Sequence, residues 1–143
     1  MKITAILHAT FLSADLEHSR VFYEGLLGLT PSRERPDLGY PGVWYEVGAN
    51  QQIHLMLLPN PKAGLQRPQH PQGVRRGCTG LNPQQHTQHG GRDHHVALAV
   101  SDLEELMRRL AAAGVAHTMS KSGRRALFCR DPDGNALEFV EAA

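Results

Sequence analysis

His94-His95-Val-Ala-Leu-Ala-Val100, followed by Ser101-Asp102, is an apolar run with a histidine pair at its head and a turn at its foot. Beyond it Leu103, Leu106, Met107 and Leu110 recur at helical spacing over 103–113, and Gly114 stops the helix. Ser101 with Glu104 three residues on reads as a capping box, a local reason for the helix to begin there. The chain opens on the same pattern. Ile3-Thr-Ala-Ile-Leu-His8-Ala is strand-like, Ser13-Ala-Asp15 leads into a helical stretch over 16–27 that Asp15 can cap, and Gly28 ends it. Asp15 lies seven residues after His8 and Asp102 seven after His95, so the two helices start in phase.

Short strands follow each helix, over 43–47 and 52–58 in the first copy and over 125–130 and 136–141 in the second. Asp131-Pro-Asp-Gly134 is a strong turn signal between the last two. Each copy reads β-α-β-β(-β), too small to bury its own sheet face. The expectation is a single α+β domain over 1–143. Two βαβββ modules, about 1–58 and 94–143, would form one curved mixed sheet, a cup with the helices outside. Between them, residues 59–93 carry Pro59, Pro61, Pro68, Pro71 and Pro83, with His70, His86 and His89 and the basic Lys62, Arg67, Arg75, Arg76 and Arg92. Such a stretch reads as a long solvated loop.

Composition narrows the function by exclusion. Fifteen basic and fourteen acidic residues give a net charge of +1, without the field that holds a protein on nucleic acid. No apolar run reaches a membrane span, and the first segment meets Asp15 before a signal-type apolar core develops. Cys78 and Cys129 are too few and too far apart for a disulfide framework and read as reduced thiols. A cytoplasmic protein with no nucleic-acid or membrane partner is expected.

Nine histidines are the notable abundance. Strand side chains alternate between faces. His8 opposes Ile3, Ala5 and Leu7; His54 opposes Ile53, Leu55 and Leu57; His95 opposes Val96, Leu98 and Val100; Glu138 opposes Leu137 and Phe139. Four metal-capable side chains thus fall on one parity. His8 and His95 hold equal positions in the two copies, and His54 and Glu138 follow them by 46 and 43 residues. Three imidazoles and a carboxylate suit one divalent ion such as Zn, Ni, Fe, Co or Mn and leave positions open for substrate. His94 falls on the opposite parity and reads as a surface residue; His18 and His117 have no such partner.

His8-Ala-Thr-Phe-Leu-Ser-Ala-Asp-Leu with Phe22-Tyr-Glu-Gly-Leu-Leu-Gly28, and Asp131-Pro-Asp-Gly-Asn-Ala-Leu-Glu138 near the end, resemble the vicinal-oxygen-chelate family of glyoxalase, bleomycin-resistance and extradiol dioxygenase domains. The resemblance covers nearly the whole chain outside the long loop. It implies one metal in a cup of strands, open positions that bind vicinal oxygens of a small substrate, and pairing into homodimers. Bacterial glyoxalase I enzymes match at His8, His95 and Glu138 but carry a glutamate where this chain has His54. Ring-cleaving dioxygenases of the family have a His, His, Glu set that maps onto His8, His95 and Glu138. Two enzyme readings are therefore implied, a glyoxalase-like lyase or isomerase and an iron dioxygenase, beside a binding protein without catalysis. Glu138 is the expected proton acceptor. Glu46, which shares a parity with Trp44, is a second candidate base if burial and reach allow it.

Overall fold

The computed structural model describes residues 1–60, 91 and 93–142. In chain order they form β1 (His8–Ser13), α1 (Leu16–Arg20), β2 (Gly42–Val47), β3 (Gln51–Leu57), β4 (His95–Val100), α2 (Leu103–Ala112), β5 (His117–Met119), β6 (Ala126–Arg130) and β7 (Ala136–Glu141). A π-helical segment, Val21–Leu26, continues α1. The histidines and basic residues expected at 62–89, Arg92 and Cys78 lie outside the described residues. The chain divides into two compact units, Met1–Leu65 with Asp131–Asn135, and Gln66–Arg130 with Ala136–Ala143.

The α+β class holds, and each module makes its own sheet. β1, β3 and β2 form one, in that order; β4, β7, β6 and β5 form the other. The sequence reading joined these strands in one curved sheet, whereas the hydrogen-bonded ladders of the described residues divide them in two. In each module the first strand pairs parallel with the last, β1 with β3 and β4 with β7. Parallel neighbours need a crossover, which the helix after the first strand supplies. The register is the same in both: His8 lies opposite Gln52 and His95 opposite Ala136. His54 and Glu138 therefore both stand two residues beyond the partner of their module's leading histidine.

In the first unit the strand expected from Ile3 begins only at His8. Ile3 is 87% and Leu7 66% exposed. The reason lies in the partner strand: β3 starts at Gln51 after the turn at 48–50, so little of it remains to pair with residues before His8. From His8 onward the expected alternation holds, with Ala9, Phe11 and Ser13 on the sheltered side. Asp15 caps α1, its Oδ1 accepting from the His18 N–H at 3.1 Å. The single α-helix expected over 16–27 gives way to the π-helical segment, where the Leu27 N–H reaches the Phe22 carbonyl five residues back at 3.0 Å. Tyr23, fully buried, stacks on Tyr45 with ring centres 5.7 Å apart and meets Phe22 edge-on at 5.2 Å.

The Asp131-Pro-Asp-Gly134 turn belongs to this first unit. Asp131 is buried, and its carboxylate accepts from the Tyr23 hydroxyl (2.8 Å), the Asn135 N–H and side-chain amide (both 2.8 Å) and the Asp133 N–H (3.0 Å). Burial pushes the Asp131 pKa up, while the donors from Asn135 and Tyr23 oppose that rise. Asp133 accepts from the Ala14 N–H at 2.8 Å and the Ser19 hydroxyl at 2.9 Å.

In the second unit α2 buries Leu103, Leu106 and Leu110 along one stripe. Its cap is Asp102, whose Oδ1 accepts from the Glu105 N–H at 2.8 Å; the Ser101–Glu104 box expected from the sequence does not form. Glu104 turns instead to Arg125, 3.2 Å away. A cap is worth about 1 kcal/mol and each buried leucine about 2 kcal/mol, so the packed stripe dominates the helix's stability. Residues 126–129 and 136–139 are buried at every position. No helix among the described residues is long and apolar enough to cross a membrane.

Candidate functional site

On the first sheet, Trp44 of β2 and Thr10 of β1 lie opposite His54 of β3. His54 is 5% exposed and sits in a pile of three rings. The Trp44 indole stacks on one face at 4.1 Å with 5° between planes, and the His8 imidazole on the other at 4.2 Å and 12°. The edge of the ring is fixed as well. His54 Nε2 lies 2.9 Å from Gln52 Oε1, and the Gln52 amide donates to Glu46 Oε1 at 3.0 Å. Glu46 accepts only, so Gln52 presents its carbonyl oxygen to His54 and Nε2 carries the proton. Nδ1 then holds the free lone pair.

Burial lowers the His54 pKa below the ordinary value of 6.5; the nearby His8 and Arg35 lower it further, and Glu46 opposes them. The fold thus favours neutral imidazole. Because the folded pKa is depressed, the stability this group contributes is complete above 6.5 and lost as pH falls toward the folded pKa. Urea denaturation of metal-free protein is expected to show wild type losing stability below pH 6.5 relative to His54→Phe, which keeps a ring in the pile. Parallel pH dependences for the two proteins would refute the assignment.

On the second sheet, His95 Nδ1 lies 2.9 Å from the Asp93 carbonyl, which can only accept, so Nδ1 carries the proton. Arg130 holds the Asp93 carboxylate at 3.0 Å. The other ring nitrogen, Nε2, points at Glu138 Oε2 from 3.3 Å, and Phe128 meets the His95 ring edge-on at 5.3 Å. Glu138 is 4% exposed, and its second oxygen pairs with Arg124 at 3.1 Å. In neutral His95 the Nε2 lone pair faces a carboxylate, an arrangement that repels unless a proton or a cation lies between. Two donors on one tetrahedral ion, each at roughly 2.0–2.2 Å, stand roughly 3.3–3.6 Å apart. A backbone carbonyl fixing the far nitrogen is also the usual support of a ligating histidine. The spacing of this pair fits two positions of a metal ion's shell.

The sequence-predicted residues therefore meet in two pairs, His8 with His54 and His95 with Glu138, one pair in each unit. Among the described residues no group of three His, Cys, Asp or Glu side chains is gathered as an ion would require. Glu46 is exposed, so the burial expected of a general base there is not met, and what it touches is Gln52. His94 is exposed, as expected. Sequence reasoning missed Gln52 and Asp93 as orienting partners. Both lie two residues before a histidine they hold, and Gln52 shares the parity of His54.

Two sheets, each led by a histidine strand and closed by a strand that carries a second metal-type donor in matching register, define a paired-module α+β protein. Residues 5–139 match the Glyoxalase/Bleomycin resistance protein/Dioxygenase superfamily, and the chain belongs to that family. It is 24% identical over 144 residues to Glyoxylase I 4 of Arabidopsis thaliana, a match that covers 97% of this chain and 71% of that protein. Among solved structures it is similar to a Bacillus anthracis protein assigned to the glyoxalase family (TM-score 0.68, 21% identity, 100% of this chain and 98% of that one). It is also similar to lactoylglutathione lyase from Agrobacterium tumefaciens (TM-score 0.59, 21% identity, 99% and 96%). At these identities the structures speak to the fold.

Proposed function

We propose that the chain is a divalent-metal enzyme of the glyoxalase type, a lyase or isomerase acting on a small substrate with vicinal oxygens. His8, His54, His95 and Glu138 hold the ion in this reading. The observation that carries it is the His95 Nε2 set 3.3 Å from a buried Glu138 oxygen, with the far ring nitrogen held by the Asp93 carbonyl. His54 supports it with a neutral ring and an open Nδ1. That the two pairs serve one ion is part of the proposal, supported by their equal register in the two modules. The relative Glyoxylase I 4 favours the isomerase or lyase branch over ring cleavage.

A bound divalent ion would supply Lewis-acid polarisation of adjacent substrate oxygens. The chain supplies the rest. Glu138 is the proton acceptor, and Arg124 engages its Oε1 and leaves Oε2 facing His95. Glu46 acts as a positioning residue, holding Gln52 and through it the tautomer of His54. The reading includes a homodimer in the cytoplasm, a reducing setting in which Cys129 stays a reduced thiol.

Metal analysis of untagged protein, beside His95→Ala, tests this. Wild type is expected to hold about one equivalent of a single transition metal and the variant none. Nickel or zinc directs the next assay to isomerisation, and iron to oxygen uptake with catechols. Wild type that takes up no metal on reconstitution overturns the proposal.

A further inference from the structure

Arg35 stands in the loop before β2, yet its guanidinium lies on the first sheet. A side chain at Gly42 would put its Cβ 2.5 Å from the Leu55 carbonyl oxygen and 3.3–3.4 Å from Arg35 Nη2 and Nε. Only glycine fits there, and the guanidinium occupies the space that a side chain would take. Gly42 and Trp44 are two apart on β2, about 7 Å, so they share a face, and that face carries His54 opposite Trp44.

The two terminal nitrogens of Arg35 are engaged by backbone: Nη1 donates to the Pro36 carbonyl at 3.3 Å and Nη2 to the Tyr40 carbonyl at 2.7 Å. The plane lies over the Tyr40 ring, 5.6 Å from its centre. Three contacts fix where the charge sits, and among the described residues no carboxylate pairs with it. The remaining donor, Nε, is buried and has no partner; the buried indole nitrogen of Trp44 has none either. Two orphaned donors, one of them cationic, on one face of one sheet are costly unless an acceptor completes them. An anionic oxygen group brought to this face would offer acceptors to such donors.

We propose that this face binds an anionic group of the substrate, a carboxylate or an equivalent oxygen anion, through Arg35 Nε and Trp44 Nε1. The substrate is thus an acid bearing vicinal oxygens, and only the oxygens rest on the metal-enzyme reading. Arg35 is the specificity residue. Gly42 is required for its placement, and Trp44 serves both as the wall of the histidine pile and as a donor.

Calorimetric titration with lactate and with lactamide tests this, because both carry vicinal oxygens and only lactate is an anion. The titrations are run on metal-loaded and on chelator-treated protein. Wild type is expected to prefer lactate, and Arg35→Gln to reduce that preference about tenfold, the worth of one charge-assisted hydrogen bond. Since Arg35 also ties two loop carbonyls, Trp44→Phe gives a second reading: it keeps an aromatic ring beside His54, removes the indole N–H, and is expected to reduce the preference severalfold. No preference in wild type, or one undiminished in either folded variant, overturns the proposal. Metal content should equal that of wild type in both variants. A protein that binds no metal but still prefers lactate through Arg35 would overturn the enzyme reading and leave this one standing.

Discussion

Glu138→Ala is expected to leave the protein folded and to abolish the proposed metal binding. The carboxylate is buried beside His95 and Arg124, yet both partners reach solvent: the His95 side chain is 26% exposed and that of Arg124 61%. Neither is stranded when the carboxylate goes, so the metal-free variant should unfold close to wild type. Removing residues that merely orient a ligand costs about 10–100-fold in metal affinity, and removing a ligand should exceed about 100-fold. Competition against a chromophoric chelator measures this. A variant that loses less than about tenfold would show that Glu138 is no ligand, and its place between His95 and Arg124 would then be that of an ordinary buried ion pair.

Asp131→Ala is expected to destabilise the protein by about 2–4 kcal/mol, the cost of leaving more than one buried donor without its acceptor. One carboxylate satisfies four donors here, and the Tyr23 hydroxyl among them is fully buried. Tyr23→Phe should cost only about 1 kcal/mol, since the other three donors keep their acceptor. Urea midpoints at neutral pH separate the two. An Asp131→Ala loss below about 1 kcal/mol would mean that water replaces the acceptor at little cost, and the turn would be no fastening for the first unit.

Alternation made the faces of His54 and Glu138 legible, because two-residue periodicity is local and a strand's buried side is written in its apolar residues. Pairing is not local. Ile3 to Leu7 look as strand-like as the residues that follow, and only the start of β3 at Gln51 decides that pairing begins at His8. The cap of α2 shows a competition between neighbours: Ser101 and Asp102 are both good caps, and the one in phase with Asp15 wins. Asp131-Pro-Asp-Gly134 announced a turn, but its contacts with Ala14 and Tyr23 span 119 and 108 residues, and no local signal reaches that far. Arg35 was invisible for a similar reason. Its place depends on an empty position seven residues later on a strand, and a loop arginine carries no periodicity to reveal it.

The π-helical segment bears on how the two modules came to differ. From the capping aspartate to the terminating glycine the first runs from Asp15 to Gly28 and the second from Asp102 to Gly114, one residue fewer. Both glycines adopt positive φ, 75° and 67°, so the exits correspond. A one-residue insertion in an α-helix would rotate everything after it by about 100°, whereas a π turn absorbs the extra residue within itself. The wide turn at Val21–Leu26 thus accommodates the one extra residue of the first module within a single loop of helix. Deleting one residue there should restore an α-helix without disturbing the strands on either side.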